Sequence, residues 1–250
     1  MQRNILLSAL PADEQQRLAP YLSRVELETG FVMAEPDEPF TYVYFPEDLV
    51  TSTLQQMEDG SSVEAGLMGV EGMAGIQVWL FAETTPAQTV VQISGHAQRM
   101  KTEDFIRHVR NTDSPLNRIL GRYVHSFIVM TSQVAACNRL HDLDVRLCRW
   151  LTMIVNRINR DEFEITHEFL AQMLGVRRAT VSTQLAILQR AGLIEYSRGR
   201  MRTLDRHGLR AGSCECLEII EAQVDRFAKT HWSTPSNGRV RVAQDAVGSS

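Results

Sequence analysis

Apolar residues return along this chain in two rhythms, and the change from one to the other divides it. Leu6, Leu7, Leu10, Leu18 and Leu22 sit among polar neighbours and predict a helix over residues 5–22. From about residue 25 to 100 the rhythm shortens to alternating runs, Val25–Leu27, Tyr42–Phe45, Ser52–Leu54, Val63–Ala65 and Thr89–Ile93. Turn residues separate them at Glu28-Thr-Gly30, Pro36-Asp37, Glu58-Asp-Gly60 and Ser94-Gly95. Short strands so spaced predict an antiparallel barrel or roll, closed by a short helix over 101–110.

The helical rhythm then returns over a longer stretch. From Pro115 to about Arg139, Leu116, Leu120, Tyr123, Phe127, Met130, Val134 and Cys137 follow at spacings of 4, 3, 4, 3, 4 and 3. Such a seam over roughly 33 Å of helix suits pairing with a second copy of itself, so these seven residues are the candidate dimer interface. Ile119, Val124 and Ile128 widen the stripe and would rest on the roll. Another amphipathic helix is predicted from His141 to Asn159, with Leu143, Leu147, Trp150, Leu151 and Ile154 inward.

Residues 165–194 carry the most specific pattern. Thr166 can cap a short helix whose Phe169, Leu170, Met173 and Leu174 face a core. Gly175 stands where that helix must stop, and a second helix from Arg177 or Arg178 to about Arg190 buries Val181, Leu185 and Leu188. Ala171 is small where the two helices would meet. The outer face of the second helix offers Arg177, Arg178, Thr180, Thr183 and Gln184, residue types that reach guanine edges and phosphates in a major groove. Beyond it, Leu193–Tyr196 and Met201–Leu204 flank Ser197-Arg-Gly-Arg200, a hairpin whose Arg198, Arg200 and Arg202 are candidate phosphate contacts.

Charge distribution strengthens this picture. The 250 residues carry a net charge of −4, but residues 1–138 hold a balance of −8 and residues 139–210 one of +5. All 13 cations of that second block are arginine, whose planar fork suits phosphate and guanine. No run of 18 apolar residues predicts a membrane span, and the N-terminus reads as an amphipathic helix rather than a signal peptide, which points to the cytoplasm. No nucleophile elbow, paired carboxylates, metal-ligand spacing or phosphate-binding loop marks an enzyme.

These features together resemble the Crp/Fnr family of bacterial transcription regulators over about residues 5–210, most sharply in Ile165-Thr and Leu174-Gly-Val-Arg-Arg-Ala-Thr-Val-Ser182. The resemblance implies an α+β fold: an antiparallel β-roll like a cyclic-nucleotide-binding domain (1–112), a dimerisation helix (113–139) and a winged helix-turn-helix (140–212). A C-terminal helix (213–230) and a disordered tail (231–250) would complete it. It further implies a homodimer on a palindromic site in double-stranded DNA, with RNA polymerase a candidate partner. By position Arg178 matches the family's guanine-reading arginine. Ala179 replaces a common glutamate and Thr183 a second arginine, so base preference should differ.

The sensor half departs from the family's nucleotide-binding pattern. Gly69, Glu71, Gly72, Gly75, Thr84 and Thr85 stand where an effector pocket would lie, without the expected arginine. Residues 25–98 contain no Lys or Arg against 12 Asp and Glu, so a buried cyclic phosphate would lack a side-chain cation. Control by cyclic AMP is therefore not expected, and the effector stays unidentified or absent. The four cysteines, Cys137, Cys148, Cys214 and Cys216, begin too late for the family's iron–sulfur type. Cys214-Glu-Cys216 is too tight for the usual zinc spacing, so reduced thiols and no metal or cofactor are expected. His96, His108 and His125 leave a haem open, although lone histidines are usually structural. The competing reading is a ligand-binding signalling module whose winged helix makes protein contacts.

Overall fold

Two prolines divide the first helical stretch. A computed structural model describes residues 4–58 and 62–228, and in it α1 (Ile5–Ser8) and α2 (Ala12–Leu18) replace the single helix predicted over 5–22. Pro11 precedes α2 in an extended conformation, and Pro20 sits in the tighter turn Ala19–Tyr21 that ends it. Asn4 is buried and caps α1 by accepting from the backbone N–H groups of Leu6 and Leu7.

The roll follows with seven strands: β1 (Ser23–Leu27), β2 (Val32–Ala34), β3 (Tyr42–Pro46), β4 (Val50–Gln56), β5 (Ser62–Met68), β6 (Gln88–Ile93) and β7 (Gly95–Lys101), with the one-turn α3 (Ile76–Trp79) between β5 and β6. They pair antiparallel in two sheets, ordered β1-β7-β3 and β2-β6-β4-β5. The alternating runs marked five of these strands. The sequence reading missed β2, which is three residues long, and β7, whose apolar Ala97 and Met100 are diluted by polar neighbours. The short α4 (Thr102–Phe105) and one wider helical turn over Ile106–Arg110 close the roll.

The long helix α5 (Pro115–Leu140) starts where the sequence predicts. Ser114 accepts from Asn117 N–H as its cap, and Pro115 fills a first-turn position where its missing N–H costs nothing. Its packing corrects the dimer-seam expectation. Leu116, Leu120, Tyr123, Met130, Val134 and Cys137 are all buried within the single chain, and Phe127 is half-buried against Gly66 of the roll. Tyr123 lies against Gly72, and the C-terminal helix α10 (Cys216–Ala228) covers the far end of the same face. A 4–3 spacing defines a stripe wide enough for one partner without saying which partner, and here the roll and α10 take it. The solvent-facing stripe is Gly121, His125, Ile128, Ser132, Ala135 and Arg139, itself at spacings of 4, 3, 4, 3 and 4.

Helix α6 (Leu143–Ile158) then leads into the C-terminal domain: β8 (Glu162–Glu164), α7 (His167–Leu174), α8 (Arg178–Arg190), β9 (Ile194–Ser197), β10 (Arg200–Thr203), α9 (Arg206–Ala211) and α10. The core falls into two main clusters. One fills the roll and the first half of α5. The other joins sheet residues Val50, Leu54, Leu67, Val90 and Ile93 to Trp150, Ile154, Leu170, Met173 and Val181. The C-terminal domain thus sits directly on the four-stranded sheet. Trp150 Nε1 donates to the buried Glu64 at 3.3 Å, and Gln172 Nε2 donates to Ser62 at 2.6 Å. The expected tail over 231–250, residues 229–230 of the C-terminal helix, and Asp59-Gly60 of one predicted turn lie outside the described residues.

Candidate nucleic-acid interface

The two helices of the motif are set by their ends. Thr166 caps α7, its hydroxyl oxygen accepting from Phe169 N–H at 3.1 Å. Gly175 ends α7 with φ 64 and ψ 40, a left-handed conformation that costs glycine little. Val176 N–H then reaches back to the Ala171 carbonyl at 3.0 Å, closing the turn. Ala171 is itself buried, which allows the close helix approach expected of it. Val181, Leu185 and Leu188 anchor α8 inward.

With those anchored, Arg177, Arg178, Thr180 and Thr183 are exposed and Gln184 is half-buried. Arg177 and Arg178 occupy the N-terminal turn of α8, where unpaired backbone N–H groups and the positive end of the helix dipole add to their charge. Among the described residues neither has a salt-bridge partner. The Thr183 hydroxyl donates to the Ala179 carbonyl at 3.1 Å, so what it offers outward is an acceptor. His167 Nδ1 and Ser182 Oγ lie 2.7 Å apart, bracing the two helices. Burial lowers the His167 pKa from its ordinary 6.5, and the nearby Arg178 charge lowers it further. The sequence reading did not single out this histidine.

The hairpin has a two-residue turn. Ser197 pairs with Arg200, leaving Arg198 at φ 50 and Gly199 at φ 82 as the only central residues. Positive φ at both positions is the type I′ geometry that matches strand twist and favours Asn-Gly. An arginine in the first position bears a steric cost of order 1 kcal/mol, which points to a use for its side chain at the tip. A strand the sequence reading did not find, β8, pairs with β10 and brings Glu162 and Glu164 to within 3.4 and 3.7 Å of Arg200. Arg202 is 3.8 Å from Glu195, whereas Arg198 has no acidic neighbour among the described residues. Ile165 N–H donates to the Gly199 carbonyl at 2.8 Å, fixing the hairpin against the start of α7.

Packing around the glycine loop corrects the effector-pocket expectation. A Cβ at Gly69 would lie 2.9 Å from the Arg157 side chain, and one at Gly72 would lie 2.5 Å from the Tyr123 hydroxyl. The glycines are there because α5 and α6 press against the loop, where a side chain at 69 or 72 would clash. Glu71 is buried and bonds Arg157 at 2.7 Å, while Gly75 takes φ +86 against Val43. Thr84 is exposed on another loop, where Thr85 carbonyl accepts from Asp37 N–H. These six residues do not form one pocket.

The four cysteines are all free and buried, and three of them meet. The last turn of α5 and the start of α10 bring Cys137, His141, Cys214 and Cys216 together, with one donor atom of each within 4.8 Å of the others. Spacing along the sequence could not reveal this, because the halves are 77 residues apart. Cys148, also buried, is not part of the group.

Residues 145–211 match the family described as the Crp-like helix-turn-helix domain. No curated protein matches the chain. Among solved structures it is similar to a CRP-family transcriptional regulator from Thermus thermophilus (TM-score 0.63, 18% identity, covering 76% of this chain and 96% of that one). It is also similar to FixK2 from Bradyrhizobium japonicum, with TM-score 0.64, 14% identity and coverage of 77% and 98%. The c-di-GMP-responsive global regulator CLP of Xanthomonas campestris gives TM-score 0.61, 16% identity and coverage of 78% and 100%. At these identities the likeness is one of fold.

Proposed function

With residues 145–211 matching a Crp-like helix-turn-helix domain and about three quarters of the chain similar in fold to Crp/Fnr regulators, we propose that it is a sequence-specific transcription regulator acting as a homodimer on a palindromic site in double-stranded DNA. The observation that carries this is the exposed face of α8, with Arg177, Arg178, Thr180 and Thr183 projecting from one helix start. In this reading Arg178 reads a guanine edge through its two parallel N–H donors, Thr183 accepts from a base edge, and Arg177 and Arg198 hold phosphates.

The dimer needs a face, and the solvent side of α5 supplies one. Gly121, Ser132 and Ala135 are small enough to let two helices approach, and Ile128 is 57% exposed among them. Two chains joined there present two recognition helices to duplex DNA, which calls for two-fold symmetry in the site.

Cyclic AMP is not the signal in this reading. The cation nearest the glycine loop, Arg157, comes from α6 and is already held by Glu71. Purifying the chain with DNA fragments and sequencing those it retains tests the whole proposal. A two-fold symmetric motif is the expected outcome, and fragments without any shared motif would refute it.

A further inference from the structure

We propose that Cys137, His141, Cys214 and Cys216 form a tetrahedral site for one zinc ion, placed at the junction between the long helix and the helix-turn-helix domain. Cys137 Sγ lies 3.5 Å from Cys214 Sγ, and Cys216 Sγ lies 3.5 Å from His141 Nδ1. Around a tetrahedral zinc, with Zn–S of about 2.3 Å and Zn–N of about 2.0–2.1 Å, ligand atoms stand roughly 3.5–3.8 Å apart. All four donor atoms fall within 4.8 Å of one another, a span for one ion rather than a cluster of several irons bridged by sulfide. Three thiolates and an imidazole are a donor set that structural zinc favours.

The surroundings are built for a metal. His141 Nε2 lies 3.2 Å from a Glu215 carboxylate oxygen, so Nε2 carries the proton and Nδ1 keeps its lone pair toward the sulfurs. This is the carboxylate–histidine arrangement that orients metal-bound imidazoles. Gln133 Nε2 donates to Cys216 Sγ at 3.1 Å, a bond strengthened when the sulfur is a thiolate.

Buried charge supplies an independent argument. Arg149 is 2% exposed and Arg146 is 8% exposed, and the Nε atom of each has no hydrogen-bond partner. The Arg149 charge acts on Cys137, and the Arg146 charge interacts with Cys137 and Cys214. Neither arginine has a carboxylate salt-bridge partner among the described residues. Buried guanidinium groups need counter-charge, and three neutral thiols offer none. A divalent ion on three thiolates and a neutral imidazole carries a net charge of −1, which meets that need. Zinc binds cysteine as the thiolate, so its entry displaces the thiol protons.

Such an ion would bind together parts of the chain that matter for DNA recognition. Cys137 lies in the last turn of α5, His141 caps that helix immediately before α6, Cys214 lies two residues ahead of α10 and Cys216 begins it. The metal would then fix the angle at which the recognition domain leaves the long helix.

The full chain, prepared under reducing and anaerobic conditions, is equilibrated with Zn²⁺, desalted and assayed for bound metal by plasma mass spectrometry. One zinc per chain is expected, and Co²⁺ in its place should give the intense visible bands of a tetrahedral thiolate complex. The paired substitution Cys214→Ser and Cys216→Ser should abolish both signals, and Cys148→Ser should preserve them. Because the double variant could misfold, Glu215→Gln is measured too; its zinc affinity, by competition with a chromophoric chelator, should fall about 10–100-fold with the circular dichroism unchanged. Chains without zinc after equilibration, equal metal loss in Cys148→Ser, unchanged affinity in Glu215→Gln, or a Cys137–Cys214 disulfide persisting under reductant would each overturn the site.

Discussion

The wing arginine Arg198 gives the sharpest test of how this protein meets DNA. Each chain places five arginines on the proposed interface; Arg178 is assigned to a base and four remain for phosphates. Of those four, Arg177 and Arg198 have no acidic partner among the described residues, whereas Arg200 and Arg202 lie 3.4–3.8 Å from exposed glutamates. Exposed pairs of that kind are worth under about 1 kcal/mol, less than a charge-assisted bond to phosphate, so they should open on binding. A dimer then neutralises eight phosphates, and log affinity should fall against log salt with a slope of about −7. Between 50 and 200 mM salt that is a loss of about 2 × 10⁴-fold. Arg198→Ala removes two contacts per dimer and should flatten the slope to about −5.4, a loss of about 2 × 10³-fold over the same range. Fluorescence anisotropy on a labelled site across a salt series reads both slopes. A wild-type slope shallower than about −3.6 would mean that not even Arg177 and Arg198 engage the backbone. An Arg198→Ala slope equal to wild type would remove the wing from the interface.

Four further outcomes are expected. Arg178→Ala should cost roughly 1–3 kcal/mol on the specific site and relax preference at one base pair per half-site, whereas an equal loss on random DNA would contradict a base contact. Ile128→Asp should yield a monomer by light scattering with its fold intact, while Phe127→Asp should unfold the chain, because Phe127 packs on Gly66 inside one protomer. Gly72→Ala drives a methyl into Tyr123 and should cost about 1–3 kcal/mol by urea denaturation; a neutral result would mean the loop and α5 are not tightly packed. His167, lowered from 6.5 in the folded chain, contributes stability that is complete above that value and is lost as pH falls through the folded pKa. Urea midpoints should therefore drop on acidification more in wild type than in His167→Gln, and Arg178→Ala should raise the His167 pKa in an NMR titration.

Much of this was legible in the chain because it is encoded locally. The Thr166 cap, the stop at Gly175 and the inward Val181, Leu185 and Leu188 are short-range signals, and α8 begins at Arg178, one of the two starts the pattern predicts. Alternation marked the strands in which apolar residues dominate one face, and failed at β7, where Gln98 and Arg99 interrupt it. Pro11 and Pro20 could have warned that no single helix runs over 5–22.

What the sequence by itself determined was the order of roll, long helix and helix-turn-helix, the arginine-bearing faces of α8 and the wing, and the concentration of positive charge in the C-terminal domain. Periodicity and composition suffice for these, because each residue's role depends on neighbours a few positions away. The tertiary structure alone decided which stripe of α5 is buried, that Arg157 and Tyr123 fill the glycine loop, and that Cys137 and His141 meet Cys214 and Cys216. These depend on segments far apart in the chain. A helical repeat specifies a face without naming its partner, and a ligand set divided between two helices has no spacing to read until the helices pack.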